Sequence, residues 1–466
     1  MPTKQYNDVD RYEKEVEQLE SMSEEEIRVV QFQKLKKQIK YCYDASPFFY
    51  QKKFDALGVK PEDIKTWEDF RNLPLYISKE DEKEAQEESL ERYGHSFGTN
   101  LCAPIENVVQ VGSTTGTTGE PTFTYMYTQR DYERNHQMVA RQFWMMGIRP
   151  GERVVYAAGV ANLSGLRIYE HSFRYYGCLP IPVGAEAGTE RILRIIDATK
   201  PTTLMATGPL IEYLIEAAPK ILKKEVSDFK LKRVISSGAP AAGIPTTKKK
   251  IEDAYQCRLF DAFGGCLACS CDVDDYQGMH VLARDFFILF EDMIDPNTRE
   301  PIWDIRDGTI GDCRMTSLEY EARPFFKSSQ GDIYQVFTGR CKCGSNIPRV
   351  RILGRSDDML IIKGANVYPA AIKNVVSSFE PRTTGEMRVV LDQPGPAVPP
   401  PMKLKVEHGP DITTKDQKKT LARELEDAMH NRLKFRAAIE LIPSGTLERA
   451  AGPGAKGKMI EKTYEK

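Results

Sequence analysis

Between residues 105 and 245, short β-branched apolar runs alternate with longer amphipathic segments, and this alternation constrains the fold more than any other feature. The runs are VVQVG, RVVYAAGV, CLPIPVG, TTLMATG and RVISSG, each ending at or beside a glycine. Between them lie stretches such as RDYERNHQMVARQFWMMG and GPLIEYLIEAAPKILKK, in which apolar side chains return every three or four residues. Period-2 runs alternating with period-3.6 segments predict strands alternating with helices, hence an α/β layered sheet.

The flanks read differently. The first 90 residues are polar and helical in pattern, with VVQFQKLKKQIKYCYDASPFFYQKKFDALGV as the periodic segment and Pro61 opening a further helical stretch. The charged run KEDEKEAQEESLER (79–92) predicts a solvated helix face. From 280 to 355 the helical pattern fades and Pro, Gly and Asn turns separate strand-like runs, predicting a smaller β-rich subdomain. The Pro-rich segment 392–411 predicts a loop entering a strand, and KDQKKTLARELEDAMHNRLK a helix after it. The last residues, SGTLERAAGPGAKGKMIEKTYEK, predict a mobile tail. With 466 residues, two or three domains are expected.

Charge and cysteine usage exclude some classes. Lys plus Arg number 65 and Asp plus Glu 67, a balance that offers no basic stripe for nucleic acid. No run approaches ~18 apolar residues, so no membrane span is expected, and the charged first 40 residues hold no apolar leader segment. A cytoplasmic setting is the expectation, in which clustered thiols bind metal or do chemistry rather than form disulfides. Five of the ten cysteines fall in two groups, Cys266, Cys269 and Cys271, then Cys341 and Cys343. Cys271, His280, Cys341 and Cys343 make a Cys₃His set, the composition of a closed structural zinc site. Cys269 is an alternative to Cys271, and scattered buried thiols are the competing explanation. No Gly-x-Ser-x-Gly or His-Glu-x-x-His pattern supports a hydrolase.

The most specific local signal is Ser113-Thr114-Thr115-Gly116-Thr117-Thr118-Gly119-Glu120-Pro121, directly after VVQVG. Glycines leave backbone N–H groups open to an anion and the hydroxyls add donors, so the segment suits polyphosphate; a plain polar turn is the alternative. It lacks the Gly-Lys-[Ser/Thr] ending of a Walker loop.

Thr114 to Pro121 resembles the phosphate loop of the adenylate-forming superfamily, the acyl-CoA synthetases and their relatives. Further resemblances follow in the family's order. Ser236-Ser237-Gly238-Ala239-Pro240 is similar to the segment that packs against adenine, and Gln330-Gly331-Asp332 to the motif whose carboxylate holds the ribose hydroxyls. Gly354-Arg355-Ser356-Asp357-Asp358 resembles the hinge, with Asp357 as the pivot, and Lys363-Gly364 the opening of the small domain. Gly457-Lys458 stands where the family carries its catalytic lysine, with Lys456 a nearby alternative. ASPFFYQKKFDALGVKPEDIKTWEDFRNLPL is similar to the N-terminal signature of the phenylacetate–CoA ligase-like branch, and the likeness runs from about residue 35 to the end. Members of that branch also carry Cys and His at similar places, which implies bound zinc.

The resemblance implies an α/β fold with a large multi-layer N-terminal domain (1–356) and a small mobile α+β C-terminal domain (357–466). The β-rich, zinc-stapled part would span about 271–355. It implies ATP-dependent, AMP-forming activation of an aromatic or related organic carboxylate, then transfer to coenzyme A. ATP, Mg²⁺, coenzyme A and structural Zn²⁺ are the implied cofactors, and a homodimer is compatible with the resemblance. The acyl pocket is expected near residues 156–165, 206–208 and 236–238, where small residues leave room for a ring.

The chain departs from the family in two places. Phe263-Gly264-Gly265-Cys266-Leu267 stands where the family reads Tyr-Gly-x-[Ser/Thr]-Glu; Phe263 and Gly264 keep the nucleotide-facing positions, but Cys266 replaces the hydroxyl and Leu267 the magnesium-holding acid. Glu120 stands where Lys is usual. Asp272 is a candidate replacement for the lost acid. These departures keep open a nucleotide-binding protein or subunit that has lost adenylation, and an adenylating enzyme with an acceptor other than coenzyme A.

Overall fold

The computed structural model describes residues 9–114, 122–159, 167–238, 241–265, 267–356, 358–362, 365–447 and 459–465. Five helices open it: α1 (Val9–Ser21), α2 (Glu24–Ala45), α3 (Lys52–Ala56), α4 (Trp67–Asn72) and α5 (Lys79–Tyr93). Ser23, Thr66 and Ser78 start α2, α4 and α5 through reciprocal bonds with Glu26, Asp69 and Asp81, three residues on. Helix α2 buries Leu35, Ile39 and Cys42 in a core shared with Phe54, Phe70 and the distant Phe326, so the helical region is docked rather than free. The charged run of α5 is largely solvated, with Ala85 and Ser89 as its buried contacts.

Strands β1 (Val108–Thr114) and β2 (Thr122–Thr128) form an antiparallel hairpin around the Thr/Gly-rich loop. Helix α6 (Gln129–Met145) starts at Thr128, whose hydroxyl accepts the Asp131 N–H. The buried Asp131 carboxylate also accepts the N–H groups of Glu321 and Ala322, both at 2.8 Å. This one side chain therefore caps a helix and ties it to a turn nearly two hundred residues away.

The alternating region folds as its periodicity requires. Its elements are β3 (Arg153–Tyr156), α7 (Arg167–Tyr175), β4 (Leu179–Pro182), α8 (Thr189–Thr199), β5 (Thr203–Ala206), α9 (Gly208–Leu222), β6 (Arg233–Ser237), α10 (Pro245–Tyr255) and β7 (Arg258–Phe263). The strands are parallel in the order β4-β3-β5-β6-β7. Successive residues enter different cores: Val154 and Tyr156 one, Val155 and Ala157 the other; Met205 one, Leu204 and Ala206 the other. A sheet buried on both faces needs apolar residues at every position, as these runs have.

The expected β-rich part follows as β8 (Ala268–Cys269), β9 (Met279–Val281), β10 (Phe287–Ile288), β11 (Met293–Ile294), β12 (Ile310–Ser317), β13 (Ser328–Phe337) and β14 (Arg349–Arg355). It is hydrogen-bonded into the same sheet, because β8 turns back antiparallel on β7 and β9, β14, β13, β12 and β10 continue outward.

The C-terminal part has its own core. It comprises β15 (Leu360–Ile362), β16 (Ala365–Val367), α11 (Pro369–Ser377), β17 (Thr383–Leu391), β18 (Met402–His408), α12 (Lys415–Leu433), β19 (Ala437–Ile442) and β20 (Ile460–Lys462). The sheet order is β19-β18-β17-β20, and Ile372, Val376, Leu421 and Leu425 of the helices pack on Val389, Leu404 and Val406 of the strands. The expectation of a mobile tail fails at its end: Ile460–Lys462 pairs parallel with β17, and the Val389 N–H donates to the Met459 carbonyl at 2.8 Å. Met459, Ile460 and Tyr464 are apolar side chains in a lysine-rich stretch, and they pack on this core. Ion pairs join the two parts. Lys250 of α10 lies 3.1 Å from Glu380 and 3.6 Å from Glu212 of α9, and Lys373 of α11 is 3.5 Å from Glu212. Among the described residues no helix is long and apolar enough to cross a membrane.

Candidate active site and metal centre

In open α/β sheets ligands bind beyond the carboxyl ends of the parallel strands, where the chain turns outward. Strands β6 and β7 end side by side there, with Ser237 paired to Ala262. Gly238 follows at φ +81°, a conformation that a residue with a Cβ rarely adopts. The Ser237 hydroxyl is buried, and its oxygen has no hydrogen-bond partner among the described residues. Phe263 ends β7 half-buried, its ring 6.2 Å from that of Tyr334 on β13. Two residues before Tyr334 stands Asp332, whose carboxylate is 3.7 Å from the Arg355 guanidinium on the neighbouring strand. Tyr125 of β2 faces the same region: burial first, then the charges of Glu82 and Asp332, push its hydroxyl up to about 12. Its cross-strand partner is Gly112, next to the buried Ser113.

Thus the hairpin stem with Ser113, the strand ends carrying Ser237, Gly238, Phe263 and Gly264, and the pair Asp332–Arg355 surround one region. Thr115–Gly119, Glu120, Ala239, Pro240, Cys266, Asp357, Lys363, Gly364, Lys456 and Lys458 lie outside the described residues, as does the side chain of Thr114.

Neither Leu267 nor Asp272 offers a magnesium ligand at this site. Leu267 is buried at φ +50° in the core that holds Tyr169, Phe260 and Val281, and offers no oxygen. Asp272 is exposed and pairs at 2.9 Å with Arg258, at the start of β7. The site lies at the other end of that strand, about 16 Å away at ~3.3 Å per residue. The Asp272 expectation is therefore corrected: the β7–β8 turn carries that side chain back toward the wrong end of the strand.

One buried carboxylate was not singled out from the sequence. Asp261, inside β7, accepts the N–H groups of Ala241 (3.3 Å), Ala242 (3.0 Å) and Gly243 (2.9 Å). Burial raises its pKa to about 6 against the pull of those three bonds. A charged residue in the run Leu-Phe-Asp-Ala-Phe was the available signal, because a carboxylate in a central strand must have donors. A second group found only in three dimensions is His136, whose Nδ1 is 2.6 Å from the Ser172 hydroxyl. Burial, then His171, depresses its pKa to about 3.

The Cys/His cluster assembles as the composition suggested. The ligand atoms of Cys271, His280, Cys341 and Cys343 all lie within 4.8 Å of one another. Cys271 Sγ is 3.6 Å from Cys341 Sγ, and Cys343 Sγ 3.5 Å from His280 Nε2. Tetrahedral zinc with Zn–S of ~2.3 Å spaces its ligands about 3.5–3.8 Å apart, so the donor set fits the ion. A hydrogen bond from Cys271, and then His280, hold the Cys343 thiol down at about 3 against burial. His280 likewise draws Cys341 down, against a burial effect that opposes it. Cys269, the alternative ligand, instead points its thiol at the Gln142 carbonyl in the apolar core.

Known proteins resemble this chain in sequence and fold. The family described as "AMP-binding enzyme C-terminal domain" matches residues 364–460. Phenylacetate-coenzyme A ligase of Thermus thermophilus is 27% identical over 458 residues, covering 93% of this chain and 96% of that protein. A crystal structure of 2-hydroxyisobutyryl-CoA ligase in the postadenylation state, with R3-HIB-AMP, superposes with a TM-score of 0.82 at 24% identity, covering 96% of this chain and 91% of that one. The same ligase in its thioesterification state, with 2-HIB-AMP and CoA, gives 0.65 at 25% identity, covering 95% and 91%. Fold, small domain and relatives make the chain similar to AMP-binding acyl-CoA ligases. Over more than nine-tenths of its length the chain is similar to phenylacetate-coenzyme A ligases.

Proposed function

We propose that the protein is an ATP-dependent, AMP-forming ligase that activates an aromatic or related organic acid and transfers the acyl group to coenzyme A. The observation that carries this reading is the convergence of Ser237–Gly238, Phe263 and Asp332 beyond the strand ends, in a chain similar to a phenylacetate–CoA ligase over 93% of its length.

A carboxylate is a poor electrophile. Attack of its oxygen on the α-phosphorus of ATP expels pyrophosphate and leaves an acyl-adenylate, whose AMP a thiolate then displaces. In this reading the loop Ser113–Gly119 binds the β- and γ-phosphates through hydroxyls and open backbone N–H groups. Ser237 to Pro240 and Phe263 with Gly264 hold the adenine, and Asp332 accepts hydrogen bonds from the ribose hydroxyls, its place fixed by Arg355. Lys458 offsets the negative charge that grows between carboxylate and phosphate. Residues 1–356 form the large domain and 357–466 the small one, which turns at Asp357 between half-reactions. Leu267 offers no oxygen and Asp272 is paired with Arg258, so neither residue holds magnesium in this reading.

Zinc bound by Cys271, His280, Cys341 and Cys343 would supply a structural cross-link, since four protein ligands leave no open position. Leu267, with Glu120, also favours a second reading, a nucleotide-binding relative without adenylation. Product analysis separates the readings: incubation with ATP, coenzyme A and a panel of aryl, arylacetic and short hydroxy acids should release AMP and form a thioester with at least one acid. Release of AMP with an acid but no thioester indicates a different acceptor. No acid-dependent AMP supports the second reading.

A further inference from the structure

The geometry points to Asp261 as a positioning residue for the nucleotide, holding the loop after β6 in the shape that receives adenine. The inference rests on the adenylate-forming reading above.

Asp261 is buried in the interior of β7, two residues before Phe263 and on the same strand face. Its Oδ1 accepts the N–H groups of Ala241 and Ala242, and its Oδ2 that of Gly243. These are consecutive residues of the segment that leaves Gly238 and enters α10 at Pro245. Three backbone donors converging on one carboxylate fix the path of that segment, and a charged acceptor binds each more strongly than a neutral one would. The anchor is itself held: the Asp261 N–H donates to the Ser270 hydroxyl and the Ser270 N–H to the Asp261 carbonyl, both at 2.9 Å. One side chain thus ties residues 241–243, which begin three positions after Gly238, to the strand that ends in Phe263. No alternative acceptor is recorded for the N–H groups of Ala242 and Gly243 among the described residues. Asparagine cannot replace the carboxylate, because its NH₂ would face an N–H group at one of the two oxygen positions.

The test is AMP binding by calorimetry to the full chain and to Asp261→Asn, with steady-state kinetics in parallel. The expected result is affinity for AMP lowered about tenfold or more and KM for ATP raised in proportion. At saturating ATP, kcat should change by less than about threefold. A merely structural role would lower the active fraction, and so kcat, while leaving KM and AMP affinity unchanged; that result overturns the inference. If the native chain binds no AMP, the adenylate-forming reading fails and this inference fails with it. Should Asp261→Asn not fold, hydrogen exchange on the native protein decides. The amides of Ala242 and Gly243 should exchange slowly and become slower still with AMP, whereas rapid exchange like that of an open loop would contradict the assignment.

Discussion

His136 shows what burial does to a single titratable group in this protein. It packs edge-on against Tyr132, with ring centroids 4.0 Å apart, bonds Ser172, and is held neutral with a pKa of about 3. An unfolded histidine titrates near ~6.5, so between about pH 3 and pH 6.5 the unfolded chain binds a proton that the native one does not. Stability contributed by this site therefore falls as pH drops through that window, with a slope of up to about 1.4 kcal/mol per pH unit. Urea unfolding from pH 6.5 to 4 should show the native protein losing more stability than His136→Phe; equal slopes would mean that the imidazole is protonated in the fold. Asp261 has the opposite sign. Its raised pKa means that stability is lost as pH rises from about 4 to about 6 and stays lost above, a cost consistent with a role in binding rather than in stability. Neither group's partners were legible from sequence: an isolated histidine in α6 and an aspartate in β7 gain their surroundings only when helices and loops pack.

At the scale of elements, the β7–β8 hairpin links the nucleotide region to the metal centre. Ala262 and Phe263 pair with Cys269 and Ala268, and Cys271 follows two residues after β8. His280 lies on β9, opposite Cys269 on one side and Arg349 on the other. A metal on these ligands would tie the chain leaving β8 to β9 and to the turn before β14. Protein purified without added metal should hold about one zinc per chain. Cys343→Ser should lose most of it, with a drop in Tm of several degrees that added zinc restores only in the native chain. Less than about 0.3 zinc per chain with an unchanged Tm would remove the metal from the account. This centre was legible in part. Residue types gave the donor set; the structure brings Cys271 rather than Cys269 to the other three, because Cys269 sits inside β8 with its thiol in the apolar core and Cys271 lies beyond the strand end. β3, β5 and β6 were legible because both faces of a parallel sheet are buried, which leaves a continuous apolar run; the run VVQVG instead became β1 of a separate antiparallel hairpin. The short β8, β9 and β20 were not, since two or three residues carry no period.

At the scale of the molecule, two bodies with separate cores meet across Lys250, Glu212, Glu380 and Lys373. The superposition is better on a relative in its postadenylation state than on the same relative in its thioesterification state, 0.82 against 0.65. An ion-paired contact of partly exposed groups is weak enough to break and re-form, as the proposed turn of the small domain between half-reactions requires. The division of labour was legible from the order of motifs along the chain. The continuity of the large sheet through β8 into β13 and β14 was not, because strand partners far apart in sequence leave no local trace. The sharpest tension in the account is Leu267, a buried apolar residue where an acid is expected, in a chain that otherwise retains Asp332, Arg355 and Lys458. Acid-dependent exchange of labelled pyrophosphate into ATP, measured without coenzyme A on the native chain and on Lys458→Ala, addresses it directly. The account predicts exchange with at least one acid of the panel and a loss of about a hundredfold or more in the variant. Exchange unaltered by Lys458→Ala, or absent with every acid while AMP still binds, would contradict it.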